Sequence, residues 1–381
     1  MRFPEDVPVL TDGVVTLRAH HEGDLPALLE QAIDPVSVEW TTVPVPSSLE
    51  TSRDYALKIL PTNWEQDSGW AFAVEAADEA GQARFAGTVE LRPEGERRAE
   101  IAYGAHPWAR GRGVMERACR LLLDWGFRER RLETVIWWAN RGNFASRRLA
   151  WRLGFSCDGT VRQWLPQRGT LRDAWVGALT SRQERSPQHP WWPVPRVVGR
   201  DVVLRPFDRS DVTRIVQACN DEQTSYWLSR MPAPYSREDA EEYVLGRAEG
   251  AASGDAVTWA VADPATDGLL GNISLFGVSR GHEAELGYWT HPAGRGRGLT
   301  KQAAALAVRH AFVPEEDGGL GLRRVSVFAA EGNLASRRVI ESVGFTETGR
   351  DRLGIRLRDG SLVDSIGYDL LATEWAERNA G

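Results

Sequence analysis

Two short glycine loops carry the sharpest chemical signal in this 381-residue sequence. ARGRG, with Arg110, Gly111, Arg112 and Gly113, recurs as GRGRG, with Arg295, Gly296, Arg297 and Gly298. Each lies between a strand-like segment and a strongly helical one. Glycine lets backbone approach an anionic ligand closely. The first turn of a helix then offers free N–H groups and the positive end of its dipole, so such a loop suits a pyrophosphate. The four arginines add positive charge. One copy would be hard to tell from an ordinary turn before a helix; two copies in matching contexts favour the ligand. A dinucleotide-binding fingerprint needs a third glycine where Glu116 and Lys301 stand, and the phosphate-binding pattern GxxxxGK[ST] is absent.

Other residue sets recur with the loops. Asn143-Phe-Ala-Ser146 and Asn333-Leu-Ala-Ser336 each open a helix directly after a strand, a place where Asn and Ser serve as caps. Glu100 in AEIAYG and Glu285 in AELGYW hold the same register ahead of the two loops, on strands whose alternation could equally leave them as surface residues. His106 and His291, each followed by proline, have no metal-ligand partner at helical spacing and read as strand-end residues. Asp173 and Asp364 read as residues that fix a closing hairpin. Cys119, Cys157 and Cys219 form neither a CxxC pair nor a metal spacing, so reduced core thiols and no metal site are expected.

The elements that must position these residues repeat as well. VVTLRAHHEGDL near Arg18 returns as VVLRPFDRSDV near Arg205, and NFASRRLAWRLGF returns as NLASRRVIESVGF, so the two halves match in order along their length. Each half reads as a strand, an amphipathic helical region, a second helix, three alternating strands, the glycine loop and a long helix (MERACRLLLDWGFRE; TKQAAALAVRHAF). A further strand, a helix and a last pair of strands complete the unit, an α+β pattern with a mixed sheet. SRQERSPQHPWWPVP, with four prolines, breaks either period and marks a boundary. The expected organisation is a domain over 1–180, a proline-rich linker over 181–195 and a second domain over 196–381. Trp191 and Trp192 suggest that the linker packs on a domain surface.

Composition narrows the partners. A hydrophobic fraction of 42% and a charged fraction of 26% are those of a folded globular chain, and no apolar run is long enough to span a bilayer. The start MRFPEDVPVL lacks the basic leader and apolar stretch of a secretory signal, so a cytoplasmic location is expected. A net charge of −7 argues against general nucleic-acid binding and accords with a cationic acceptor. Neither a nucleic-acid nor a membrane partner is expected.

HPxxRGRG, a helix, then NxxSRRxxxxxGF resembles the GNAT superfamily of acetyltransferases, and within it the Rim-type branch that acetylates ribosomal-protein N-termini. The resemblance spans both halves. It implies two tandem domains, each a mixed, mostly antiparallel sheet with a splayed central strand pair flanked by helices. It also implies acetyl-CoA as co-substrate, with its pyrophosphate on the residues of the two loops and its arm contacted by Asn143 and Asn333. The family's leading Arg or Gln of the loop falls on Trp108 and Ala293, a departure that matters little to a loop acting through backbone N–H groups. By the same resemblance Glu100 and Glu285 are general bases acting through water, and Ser146 and Ser336 protonate the departing thiolate. The tyrosine more usual for that role, after the glycine–phenylalanine, is missing from both halves.

The implied reaction is direct transfer of acetyl from acetyl-CoA to a primary amine, either a peptide N-terminus or a small molecule. Attack needs a neutral amine. An α-amine lies about one pKa unit from neutrality at about pH 7, whereas lysine lies more than three units away, or roughly 4.6 kcal/mol, so a glutamate relay suits α-amines better. The other reading is an acyl-CoA-binding sensor or scaffold with one or both domains non-catalytic.

Overall fold

Alternating apolar residues recur along both halves, and the computed structural model, which describes residues 2–379, contains two eight-stranded sheets. The chain divides into two compact units, one ending at Gln188 and the other beginning at His189.

The first unit has strands β1 (Leu10–Thr11), β2 (Val15–Arg18), β3 (Trp70–Ala77), β4 (Ala83–Pro93), β5 (Arg98–Ala105), β6 (Thr134–Asn140), β7 (Gly159–Gln167) and β8 (Thr170–Thr180). Its helices are α1 (Leu25–Ile33), α2 (Pro35–Trp40), α3 (Leu49–Asp54), α4 (Leu60–Glu65), α5 (Val114–Arg128) and α6 (Phe144–Arg152). The sheet order is β1-β2-β3-β4-β5-β6-β8-β7, and β5 and β6 run parallel while the other neighbours run antiparallel.

The second unit repeats the plan. Its strands are β9 (Val197–Val198), β10 (Val203–Arg205), β11 (Ala256–Ala262), β12 (Leu269–Ser279), β13 (Glu283–Thr290), β14 (Arg324–Ala330), β15 (Thr346–Arg356) and β16 (Leu362–Leu371). Its helices are α7 (Val212–Cys219), α8 (Glu222–Trp227), α9 (Arg237–Ala252), α10 (Leu299–Phe312), α11 (Leu334–Val343) and α12 (Ala372–Asn379). Here β13 and β14 form the parallel pair. Both units have the expected mixed, mostly antiparallel α+β architecture.

Period-two alternation decides which side chains meet which helices. Phe72, Val74, Val89, Leu91, Ala99 and Ile101 turn to one face of the first sheet and pack with Ala118, Cys119, Leu122 and Leu123 of α5. Trp259, Ile273, Leu275 and Leu286 do the same with Ala303, Ala304, Ala307 and Val308 of α10. The opposite faces carry smaller cores, built with Leu25, Leu28 and Ala56 in the first unit and with Val212, Ile215 and Ala240 in the second. Of the three free cysteines, Cys119 and Cys219 are buried and Cys157 is half-buried.

Several elements carry no period in the sequence. β1 and β9 are two residues each, too short for alternation. Between α3 and α4 the helix widens into a π turn over Tyr55–Ile59, just ahead of Pro61. Proline supplies no N–H to the helical ladder, and a wider turn accommodates the lost bond. The proline-rich stretch is tied at both ends: Arg120 donates to the Arg185 carbonyl at 2.8 Å, while buried Trp192 donates through Nε1 to the Gly254 carbonyl at 2.7 Å.

A charged pair holds the start of the first helical region in each unit. Arg205 grips Asp211 through two hydrogen bonds of 2.8 Å, with side chains 6% and 3% exposed. Arg18 grips Asp24 in the same way but is 17% exposed. Removing one partner strands a buried charge. Asp211→Ala should therefore destabilise the second unit by about 3 kcal/mol, the lower end of the range for broken buried pairs because Asp267 still faces Arg205 at 3.0 Å. Asp24→Ala should lower the urea midpoint of the first unit by less; an equal or larger effect at Asp24 would contradict this ranking.

Candidate active site

The site begins where two parallel strands part. β5 pairs with β6 only from Arg98 opposite Thr134 to Ile101 opposite Trp137, yet β5 runs on to Ala105 and β6 to Asn140. β13 pairs with β14 only from Glu283 opposite Arg324 to Glu285 opposite Ser326, and runs on to Thr290. The far halves splay, leaving a strand edge with free backbone groups. On the other side of β5, the β3–β4 register shifts at Val74/Glu75, across from Gly87. Gly87 has φ 147°, and a Cβ there would lie 2.2 Å from the Gly104 carbonyl oxygen. Only glycine allows that close approach.

The splayed strand ends in His106-Pro107 or His291-Pro292, a single 3-10 turn, and the glycine loop follows. Gly111, Gly113, Gly296 and Gly298 have φ of 73°, 75°, 72° and 70°, and a Cβ on any of them would point into open space. Gly113 and Gly298 are the caps of α5 and α10. The loop is thus a shallow cradle of left-handed backbone at a helix start, which fits a diphosphate.

The loop arginines have defined partners. Arg110 donates to Asp34 and, at 3.0 Å, to Ser37 Oγ; Arg295 donates to Asp221 and, at 2.7 Å, to Thr224 Oγ1. Asp34 and Asp221 cap α2 and α8, so each loop is tied to the helices on the opposite face of its sheet. The guanidinium partners hold both carboxyls below the usual carboxylate range. Arg112 lies 5.3 Å from the Trp108 ring centroid, and Arg297 is 3.8 Å from Asp263. Trp108 donates through Nε1 to the Phe85 carbonyl at 2.9 Å.

Glu100 and Glu285 stand on the last or next-to-last paired positions before the splay. Their neighbours Ala99, Ile101, Ala284 and Leu286 face the main cores, so the two carboxylates face the other way. Burial pushes both carboxyls above their ordinary value, opposed by Arg92 at Glu100 and by Arg230 at Glu285. Arg92 Nη1 is 3.5 Å from Glu100, and its Nε donates to the buried Glu90 at 2.8 Å.

Two tyrosines missed by sequence reasoning lie across the sheet from these carboxylates. Tyr103 Oη is 2.9 Å from Ser146 Oγ and donates to the Ser146 carbonyl at 3.1 Å; Tyr288 Oη is 2.9 Å from Ser336 Oγ. Trp137 Nε1 also donates to Ser146 Oγ at 3.1 Å. Burial raises both phenols, Tyr288 to about 12. Both tyrosines precede the glycine loops and do not follow the glycine–phenylalanine. The usable signal was the recurrence of AYGAHP as GYWTHP at the same interval that separates Glu100 from Glu285. Asn143 and Asn333 accept the Ser146 and Ser336 N–H groups at 3.1 Å, so both cap their helices.

The remaining motif residues have structural partners. His106 Nε2 is 3.2 Å from Glu30 and Nδ1 accepts from Trp108 N–H; His291 Nδ1 accepts from Ala293 N–H at 3.1 Å. Burial lowers both imidazoles. Asp173 accepts the Gln163 N–H and Asp364 the Leu353 N–H, each at 2.9 Å across the closing hairpin.

Each unit thus gathers at one splay a glycine cradle at a helix start, a strand carboxylate on one side and a tyrosine–serine hydroxyl pair on the other. The acetyltransferase (GNAT) domain family matches residues 15–156 and again 201–346, and the chain belongs to this family. It is 30% identical over 182 residues to "Putative ribosomal N-acetyltransferase YdaF" of Bacillus subtilis (strain 168), covering 47% of this chain and 95% of that protein. It is 24% identical over 164 residues to "Probable N-acetyltransferase YjcK" of the same organism, covering 42% and 88%. Among solved structures, Mycobacterium smegmatis RimJ in complex with CoA-disulfide is 23% identical, with TM-score 0.43, covering 49% of this chain and 91% of that one.

The raised carboxyl at Glu100 has a consequence for stability. The folded state holds this proton more tightly than the unfolded state, so its favourable contribution is full below the ordinary value of 4.5 and is lost as pH rises through the raised value. Glu100→Gln should therefore raise the thermal midpoint of the first unit at neutral pH and leave it nearly unchanged near pH 4, roughly the range where the carboxyl is protonated. A midpoint lowered at neutral pH would show that the Arg92 contact outweighs desolvation.

Proposed function

We propose that each unit transfers acetyl from acetyl-CoA directly to a primary amine, with α-amines of peptides or small molecules as acceptors. We assign the two transferase domains to 1–180 and 196–381, joined by a linker over 181–195, within the compact units that end at Gln188 and begin at His189. The observation that carries the reading is the arrangement around the splay, present twice: glycine cradle, strand carboxylate and tyrosine–serine pair. The relatives named for N-acetyltransfer support the same chemistry.

In this reading the diphosphate rests on the N–H groups around Gly111 and Gly113, or Gly296 and Gly298, and the thioester arm lies along the open edge of β5 or β13. Glu100 or Glu285, kept short of water, accepts the amine proton through a bridging water. Free N–H groups on the splayed edge stabilise the oxyanion as the amine nitrogen bonds to the acetyl carbon. As the carbon–sulfur bond breaks, the tyrosine–serine pair returns a proton to the thiolate. No covalent enzyme intermediate is required.

Purified protein supplied with acetyl-CoA and a panel of peptide and small amines should release free CoA thiol and acetylated amine in equal amounts. No thiol above background with any amine would end the proposal. Glu100→Gln combined with Glu285→Gln should lower kcat by about 100-fold, the scale of general base catalysis, with CoA affinity kept. Tyr103→Phe combined with Tyr288→Phe should also slow turnover, separating a proton donor from a mere tether to Ser146 and Ser336 if the alkaline limb of the rate profile moves.

A further inference from the structure

The two units are alike around the glycine loops and unlike on the face that carries Glu100 and Glu285. The position opposite the glutamate on the neighbouring strand is Arg92 in the first unit and Phe276 in the second. Two residues earlier on the same strands and face stand Glu90 and Ser274. The first unit thus gathers two carboxylates around one guanidinium, an excess of negative charge. The second has one carboxylate, with the Arg230 guanidinium acting on it.

Buried polar atoms without a partner among the described residues occur in both units, and in the second they are nitrogens, among them Arg247 Nε and His310 Nε2. His20 Nδ1, Gln31 Oε1 and Asn140 Oδ1 are buried without a hydrogen-bond partner among the described residues. His20 bonds Thr88 through Nε2 at 3.0 Å, which places it beside β4 on the Glu90 face. Gln31 lies over Gly104, where a Cβ would meet its Nε2 at 2.8 Å. Asn140 ends β6. Their counterparts by repeat position are Phe207, Ala218 and Ala330, and Gly104 is replaced by Trp289. Two of the first unit's three orphaned atoms are carbonyl oxygens, and with the carboxylates they call for a ligand rich in N–H donors.

Both units carry an aromatic ring on the strand beyond the splay, Trp138 stacked on Trp164 in the first and Phe328 in the second, and the second adds Phe276 opposite its carboxylate. Phe276 and Phe328 are 38% and 52% exposed, on the strands either side of β13. Their rings lie over Gly287 and Gly367, where a Cβ would come within 2.7 and 3.1 Å.

We propose that the two units acetylate different amines: the first an amine whose scaffold carries a second positive charge, the second an amine carried on an apolar group. This rests on the transferase reading above and specifies its acceptors. Cationic donors would satisfy Glu90, Gln31 and Asn140 together, and the exposed rings beside Glu285 would cover an apolar substituent.

The test uses the full chain with one loop silenced at a time, as Gly298→Val or Gly113→Val, and arginyl-alaninamide against phenylalanyl-alaninamide as acceptors. Both have one α-amine and differ in the adjoining side chain. Calorimetry with CoA should show stoichiometry falling from two to one in each variant. With Gly298→Val the arginyl acceptor should lead in kcat/KM by about tenfold, and with Gly113→Val the phenylalanyl acceptor should lead by a similar factor. A second arm keeps both loops intact: Glu90→Gln should lower the arginyl-to-phenylalanyl ratio and Phe276→Glu should raise it. The same ratio in both silenced chains, or a ratio unmoved by Glu90→Gln, would overturn the assignment while leaving acetyl transfer standing. No thiol release with either acceptor, CoA still bound, would instead overturn the transferase reading and this assignment with it.

Discussion

Everything at this site depends on a sheet that comes apart along one seam. A strand inside a sheet normally has its N–H and C=O groups paired on both edges, and an unpaired group shielded from water costs about 1–3 kcal/mol. β5 and β6 forgo that pairing after Ile101 and Trp137, and β13 and β14 after Glu285 and Ser326. The seam is held open from both sides. β6 is committed along its whole length to β8, from Thr134 opposite Thr180 to Asn140 opposite Ala174, while β5 follows β4 to Gly87 opposite Ala105. Parallel pairing is the weaker kind, so the seam opens at the one parallel contact in each sheet.

The parting also explains how one strand serves two faces. Alternation sends Glu100 to one side and Tyr103 to the other, three residues on. The tyrosine reaches Ser146 at the start of α6, across the seam, so a hydroxyl pair is assembled from elements that do not hydrogen-bond through their backbones. Its counterpart, Tyr288 with Ser336, is built the same way without an indole like that of Trp137, because Val327 occupies the matching place on β14.

Legibility in the sequence followed distance along the chain. The α+β pattern, the repeat, the glycine loops and the Asn/Ser helix starts are local, and duplication made them stand out. Tyr103 and Ser146 are 43 residues apart, Arg110 and Asp34 are 76 apart, and nothing in either segment alone names its partner. Glu90, Arg92 and His20 were hidden for the opposite reason: comparing the halves reveals what they share, and these residues have no like counterpart in the second half. Periodicity likewise had no hold on two-residue strands or on the π turn at Tyr55–Ile59.

The loop arginines show why the glycines cannot be replaced by charge. A guanidinium next to a glycine cradle looks like a ready counter-ion for a diphosphate, yet Arg110 and Arg295 are each engaged by an aspartate whose carboxyl is held below the usual range. The two charges of such a pair largely cancel at any distance beyond its own length. It fixes the loop to α2 or α8 and adds little field to the cradle. In the proposed reading the attraction for an anion then comes from backbone N–H groups at the start of α5 and α10, with Arg112 adding to it in the first unit. That geometry exists only while the residues at 111, 113, 296 and 298 can hold left-handed backbone with nothing projecting into the open side. Side-chain charge can be supplied from many places on a surface, but the free N–H groups of a helix start cannot, and this makes the turn, rather than the arginines beside it, the feature that both units share.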